Sequence, residues 1–75
     1  IVICPPFLSI PGAVHAAQET NVAIGAQNLH HEKEGAFTGE ISAPMIAASG
    51  ARWVIIGHSE RRQFFGETDA SVLKK

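Results

Sequence analysis

A single histidine stands directly after the most strand-like segment of the sequence, in the run Gly57-His58-Ser59-Glu60. The segment before it, Arg52 to Gly57, contains Trp-Val-Ile-Ile and predicts a strand that is apolar on both faces. In α/β proteins, polar side chains at the carboxyl ends of parallel strands commonly form the active site. On position alone, the pattern fits a catalytic His58 and a histidine satisfied within a loop about equally.

The chemistry open to His58 depends on the residues that follow it. Adjacent His, Ser and Glu cannot form a nucleophilic triad, because a triad needs side chains that converge from separate segments. If a helical turn begins at Ser59, its unpaired N–H groups can donate to one ring nitrogen of His58 and favour a neutral imidazole. The other ring N–H could then donate to a substrate carbonyl and stabilise the negative charge that develops there.

Two other groups of side chains could have a chemical role, but the sequence evidence for them is weaker than for His58. His30-His31-Glu32 suggests a metal site, but adjacent histidines rarely direct both rings at one ion, so we favour a solvated loop and predict no metal. Cys4 is the only cysteine, and nothing near it in sequence would activate the thiol, so it is expected to be a small buried apolar residue.

The elements that must position these residues alternate as βαβαβα. Strands are predicted over Ile1 to Cys4, Val22 to Ala26 and Arg52 to Gly57. Helices are predicted over Pro11 to about Thr20, from a Ser42 cap to Gly50, over Ser59 to Phe65, and after a Thr68 cap. The polar segment Leu29 to Ile41 is predicted to be a loop. This order predicts parallel strands with right-handed crossovers, in either an open doubly wound sheet or a (β/α)8 barrel.

Composition and missing motifs exclude several classes of function. The net charge of −1 and the pI of about 6.4 provide no field for binding nucleic acid or an anionic membrane. No glycine-rich dinucleotide or phosphate-loop motif follows any predicted strand, so neither of these nucleotide-binding motifs is present. The apolar runs are far shorter than the ~20 residues that cross a bilayer, and the single cysteine fits a reducing, cytoplasmic setting. The first residues lie within an apolar run and the last within a helical pattern, so we expect a piece of a longer chain.

Two motifs longer than those above carry a resemblance to a known family. Gly57 to Arg62 reads Gly-His-Ser-Glu-Arg-Arg, is followed by Phe65-Gly66-Glu67, and is similar to the fourth-strand signature of the triosephosphate isomerase family. Gly35 to Ser42 reads Gly-Ala-Phe-Thr-Gly-Glu-Ile-Ser and resembles the tip of its third loop. Gly25 to Asn28 and Pro5 to Phe7 are similar to neighbouring strand ends of the family, so the resemblance runs in register over the whole chain.

The resemblance implies an α/β fold in the form of a partial (β/α)8 TIM barrel, with about three consecutive parallel βα units. Residues 1–75 would be an internal fragment of a single barrel domain, spanning the second to fourth units. The family interconverts dihydroxyacetone phosphate and glyceraldehyde 3-phosphate in glycolysis and gluconeogenesis, through an enediolate and without cofactor or metal. The family's lysine, glutamate base and phosphate-binding loops have no counterpart here, which implies an incomplete catalytic set and an inactive fragment.

By the same resemblance, His58 is the catalytic electrophile of a triose phosphate isomerisation. Glu60 is assigned to the catalytic site as an acid that polarises or orients its neighbours, and Ser59 as a supporting residue. The family's third loop inserts into a second subunit, which implies a homodimer. Six residues are expected to form or support that interface: Gln27, Asn28, Thr38, Gly39, Glu40 and Arg61. Arg61 is the expected ionic partner of Glu40 around that contact.

Two other hypotheses remain open at this point. The chain could be a noncatalytic interaction module that docks through the Gly35-Ile41 loop, which explains the loop but assigns no role to His58. It could also belong to another phosphosugar barrel enzyme, which would carry a different residue in place of the glutamate base. Replacing His58 distinguishes the interaction module from the isomerase.

Overall fold

The structure, a computed structural model, describes all 75 residues, Ile1–Lys75. A three-stranded sheet contains β1 (Val2–Ile3), β2 (Ala23–Ala26) and β3 (Trp53–Val54) in that order. Both pairs are parallel, with Val2 opposite Ala23 and Gly25 opposite Trp53. The parallel arrangement predicted from the sequence is therefore confirmed.

The strands are shorter than their sequence patterns predicted. Hydrogen-bonded pairing covers two residues of β1, four of β2 and two of β3. Pro5 has no N–H to extend the first ladder, and both outer strands have a partner on one side only. The apolar run of β3 and the residues after it is not covered on both faces in this chain, because Trp53 is 57% exposed and Ile56 is 40% exposed.

Helix α1 covers Ile10–Ala16 and follows a 3₁₀ turn at Phe7–Ser9. Pro11 lies in its first turn, as predicted, but the helix ends before the predicted limit near Thr20. Glu19 adopts a left-handed conformation with φ of 63°, which a continuing right-handed helix cannot include. The Thr20 hydroxyl instead donates to the Ala17 carbonyl at 2.6 Å and closes the helix end.

Helix α2 covers Ala43–Ala48, and its boundaries agree with the capping residues in the sequence. The buried Ser42 side chain accepts a hydrogen bond from the Met45 N–H at 3.5 Å, which satisfies a free donor of the first turn. Gly50 follows the helix with φ of 96°, and a Cβ atom there would lie 2.7 Å from the Val14 side chain. Glycine is therefore required for α2 to end against α1.

The hydrophobic core lies between the sheet and the first two helices. It contains six buried residues: Ile10, Ile24, Ala26, Leu29, Ile46 and Ala51. Among the strands, only the central strand β2 contributes buried side chains to this core, because it has a neighbouring strand on each side. Outside the core, many large apolar side chains of β1 and β3 remain exposed.

Helices α3 (Ser59–Phe64) and α4 (Asp69–Lys74) follow β3. Gly66, with φ of 67°, separates them, as the sequence predicted. The Thr68 hydroxyl accepts from the Ser71 N–H at 3.2 Å and caps α4, and Asp69 lies in its first turn. No helix of the chain has the length and apolar character needed to span a bilayer.

The segment predicted as a loop, Leu29 to Ile41, is largely irregular and is exposed from His31 to Glu40. Its first residue is an exception, because Leu29 is buried in the core. The His30 N–H donates to the Ile41 carbonyl at 2.8 Å, which brings the two ends of the loop together. The Phe37 ring lies over His30, with 4.5 Å between ring centroids.

Candidate active site

The turn after β3 determines where His58 is placed. Gly57 has φ of 63°, and a Cβ atom there would lie 2.9 Å from the Val72 side chain. Both the dihedral angle and the close contact require glycine. The chain therefore turns sharply at Gly57, and His58 becomes the residue that caps α3.

The His58 imidazole takes part in that cap. Its Nδ1 accepts a hydrogen bond from the backbone N–H of Glu60 at 3.1 Å, as the sequence analysis predicted. A ring nitrogen that accepts in this way carries no proton, so the neutral ring has its proton on Nε2. The arrangement presents Nε2–H as a donor beyond the helix end.

His58 borders a cavity of about 200 Å³ at the carboxyl ends of β2 and β3. The cavity is lined by Gln27, Ile55, His58, Glu60 and Arg61. Four of these lining residues were predicted site residues: Gln27, which follows β2, and His58, Glu60 and Arg61, which follow β3. Ser59 is exposed on the first turn of α3 and does not line the cavity.

Gln27 connects two of the strand ends. Its side-chain Nε2 donates to the Cys4 carbonyl at 2.9 Å, so the residue after β2 is held to the residue after β1. The Cys4 side chain is half-buried and not fully buried as expected, because β1 is an outer strand. Its Sγ would lie 2.9 Å from a Cβ atom at Gly25, so the space between these strands admits only glycine.

A buried ionic cluster behind the cavity was missed by sequence reasoning. Glu67 Oε2 accepts hydrogen bonds from Arg61 Nε and from Lys75 Nζ, the latter at 2.7 Å. Lys75 Nζ also donates to Asn28 Oδ1 at 2.7 Å, so the cluster joins the end of α4 to the end of β2. The Glu67 and Lys75 side chains are only 6% and 9% exposed.

The environment of Glu67 changes its acidity. Desolvation by burial acts to raise the pKa, but the hydrogen bonds and charges of Lys75 and Arg61 outweigh it and lower the pKa below its ordinary value of 4.5. Glu67 lies before helix α4 and contacts the two cations, whereas Asp69 lies in the first turn of that helix.

Within the chain, Arg61 pairs with Glu67, and its guanidinium lies 4.6 Å from the centroid of the Phe65 ring. The Glu40 carboxylate lies 3.9 Å from His30 Nδ1 of the same chain. The expected pair of Arg61 with Glu40 belongs to the contact between two subunits and stays a prediction. The separation of six residues between Arg61 and Glu67 matches no regular helical spacing, which is why the pattern gave no signal.

The remaining residues assigned to an interface lie on the exposed loop. Thr38, Gly39 and Glu40 form a turn in which Gly39 has φ of 90°. The rings of His30 and His31 lie next to each other, with 4.5 Å between centroids and 39° between their planes. The structure brings together no group of three or more His, Cys, Asp or Glu side chains suited to a metal ion.

Parallel βα units with a histidine at a strand end, beside a cavity at the carboxyl edge of the sheet, define an α/β protein whose candidate site lies where such proteins commonly bind their ligands. The sequence model of the family described as triosephosphate isomerase matches residues 1–75. The chain belongs to the triosephosphate isomerase family.

Individual relatives agree with this assignment. The chain is 60% identical to the triosephosphate isomerase of Solibacter usitatus and 59% identical to that of Moorella thermoacetica, over 75 residues in each case. The alignments cover the whole of this chain and 30% of each relative. A crystal structure of triosephosphate isomerase from Bartonella henselae matches with a TM-score of 0.93 and 43% identity, over 99% of this chain and 31% of that one. The chain therefore spans about a third of a TIM barrel protein.

Proposed function

We propose that residues 1–75 are an internal segment of a longer triosephosphate isomerase, which we call the parent enzyme, and supply the second to fourth βα units of its (β/α)8 barrel domain. The chain covers only 30% of the length of its relatives, which supports this proposal. The exposed apolar side chains of β1 and β3 support it further, since further strands and helices would cover them. Residues Ile3 and Trp53, both more than half exposed, are examples.

The parent enzyme interconverts dihydroxyacetone phosphate and glyceraldehyde 3-phosphate. A base removes a proton from the carbon next to the carbonyl, and the proton returns to the neighbouring carbon through an enediolate. His58 is the electrophile, because Nε2–H donates to the oxygen on which charge develops. The observation that carries this role is the hydrogen bond from the Glu60 N–H to His58 Nδ1 at 3.1 Å.

The other residues of the segment support this chemistry without completing it. Glu60 borders the cavity beside His58 and orients its neighbours, and Ser59 supports the turn that begins α3. The acids Glu32 and Glu34 lie on the exposed loop and cannot serve as the base that removes the proton. That base, the lysine and the phosphate-binding loops belong to other parts of the parent enzyme. Proton transfer of this kind needs neither a metal nor a cofactor.

The exposed loop is the segment's contribution to a homodimer. Its tip, Thr38 to Glu40, projects without contacts to the core and is available to a second subunit. Gln27 and Asn28 hold the strand end from which the loop departs, and Arg61 lies beside them at the cavity. The parent enzyme functions in glycolysis and gluconeogenesis, in the cytoplasm, where the free thiol of Cys4 stays reduced.

Assaying the purified parent enzyme in both directions tests this function. We expect turnover of both triose phosphates together with exchange of solvent deuterium into the carbon next to the carbonyl. The isolated 75-residue chain should show no turnover, because it holds only part of the catalytic set. Absence of turnover in the parent enzyme, or turnover by the isolated chain, contradicts the proposal. In the first case, capture of a partner through the Gly35-Ile41 loop would favour the interaction module.

A further inference from the structure

Both peptide groups that flank the Cα atom of His58 are held by the same residue. The Gly57 carbonyl, in the peptide before His58, accepts a hydrogen bond from Arg62 Nε at 2.9 Å. The His58 carbonyl, in the peptide after it, accepts from the backbone N–H groups of Arg61 at 2.9 Å and Arg62 at 3.1 Å. The φ and ψ angles of His58, −56° and 143°, are thus fixed from both sides.

The guanidinium of Arg62 has a second contact that fixes its direction. Its Nη1 donates to Asp69 Oδ1 at 2.7 Å, in the first turn of α4. Because the guanidinium is planar and rigid, the bond to Asp69 orients Nε toward the Gly57 carbonyl. A lysine at this position could reach one of the two acceptors but not both.

The absence of a side chain at Gly57 makes this approach possible. A Cβ atom there would lie 3.1 Å from Arg62 Nη2 and 2.9 Å from the Val72 side chain. Either contact would displace the guanidinium or push α4 away from the turn. Gly57, Arg62 and Asp69 therefore form one arrangement, which we call the turn clasp.

We propose that Arg62 is a positioning residue for His58: the turn clasp fixes the backbone of the electrophile, while the Glu60 N–H fixes its ring. This inference rests on the proposed isomerase function of His58. Arg62 does not line the cavity, and it acts through the direction in which His58 Nε2–H points. A shift of the donor of about 1 Å is enough to slow a reaction by up to ~100-fold.

The ion pair of the turn clasp, between Arg62 and Asp69, contributes little to the stability of the fold. The Arg62 and Asp69 side chains are 40% and 97% exposed, and pairs of this kind are screened by water and salt. A loss of activity on removal of the Arg62 side chain, without a loss of stability, thus separates positioning from a merely structural role.

The test compares Arg62→Gln with Arg52→Gln in the parent enzyme. Arg52 is an exposed arginine with no side-chain hydrogen bond, so R52Q makes the same change of charge away from the turn. R62Q should lower kcat by about 10- to 100-fold with KM little changed and the thermal midpoint close to that of R52Q. R62K, whose ammonium group can replace one of the two contacts, should recover part of kcat, and D69N should lower kcat less than R62Q because Nε remains in place.

Combining R62Q with His58→Gln separates the two proposals. If Arg62 acts through His58, R62Q should have little further effect once the imidazole is gone. The positioning role is overturned if R62Q lowers kcat as much in the H58Q enzyme as in the parent enzyme. It is also overturned if R62Q and R52Q have the same kcat. Neither result affects the proposed isomerase function. If H58Q alone leaves activity unchanged, the proposed function fails and the positioning role fails with it.

Discussion

The backbone N–H of Glu60 donates to Nδ1 of His58 at 3.1 Å, so the second residue of helix α3 fixes the tautomer of the residue that caps it. A donor from the main chain cannot be lost by rotation of a side chain. The ring is therefore oriented by the start of the helix itself, and its Nε2–H is left free to act on a substrate.

Replacing Glu60 by proline should change the tautomer of His58. Proline removes the backbone N–H, and its place as second residue of the helix is one that Pro11 and Pro44 already occupy in α1 and α2. Nitrogen-15 NMR of the ring at pH about 8, where a histidine is ordinarily neutral, should show the proton on Nε2 in the parent enzyme and a mixture of tautomers in E60P.

Glu60→Gln is the matched control for this experiment, because it removes the carboxylate and keeps the N–H. The Nε2–H tautomer should persist in E60Q. A proton on Nδ1 in the unmodified parent enzyme would contradict the hydrogen bond on which the account depends.

The cluster around Glu67 should make stability depend on pH. Because its pKa is lowered in the folded state, Glu67 stabilises the fold fully above the ordinary value of 4.5 and loses that contribution as the pH falls below it toward the folded pKa. Glu67→Gln should lower the free energy of unfolding at neutral pH by about 1–3 kcal/mol, since Lys75 is left without its anion.

Urea unfolding of the parent enzyme and E67Q between pH 7 and pH 3 measures this contribution. The two curves should approach each other as the pH falls below 4.5. Glu19→Gln, at an exposed carboxylate without an ion pair, serves as the control. If the free energies of unfolding of the parent enzyme and E67Q differ by the same amount at every pH in this range, the lowered pKa of Glu67 is contradicted.

A methyl group at Gly57 should damage both stability and activity. Gly57→Ala forces a side chain into φ of 63° and against Val72 and Arg62, at a cost of about 1–2 kcal/mol for the conformation alone. Gly12→Ala lies within α1 with nothing within 4 Å of its new methyl group and should be neutral or stabilise by up to about 1 kcal/mol. Thermal unfolding and kcat, measured together on both variants, check the contrast; equal behaviour of the two would be inconsistent with a tight turn.

The loop tip should control the oligomeric state. Thr38→Arg places a long charged side chain at the centre of the proposed interface and should convert the dimer of the parent enzyme to monomers with reduced kcat. Lys33→Ala, on the same exposed loop but away from the tip, should remain dimeric. Sedimentation of both variants gives the masses, and a dimeric, fully active T38R would remove the loop tip from the interface.

Most of the fold followed from local features of the sequence. Ser42 and Thr68 cap helices as predicted, and Gly50 and Gly66 separate elements, because capping and left-handed turns depend on a few neighbouring atoms. The apolar run before Gly57 correctly indicated a parallel strand. Its exposure was not predictable, because the run has the composition of a strand covered on both sides and burial depends on the elements that pack against it.

Only those contacts of the candidate site that join neighbours in the sequence were predictable. The contact between His58 and Glu60 lies within one turn of the chain, and the sequence was sufficient for it. The hydrogen bond between Lys75 and Asn28 depends on how the end of α4 packs near the end of β2. No local sequence pattern specifies that packing, so this contact could not be predicted. The pair between Arg61 and Glu67 was missed for the same reason, since Glu67 reaches Arg61 only after the chain turns at Gly66.

The most direct test of the central claim is the steady-state rate of the parent enzyme with His58 replaced by glutamine, beside His15→Gln on the exposed face of α1. Loss of the Nε2–H donor should lower kcat by about 10²- to 10³-fold with the fold intact, while H15Q keeps the full rate. An H58Q enzyme as active as H15Q would show that the imidazole at the end of β3 takes no part in the reaction.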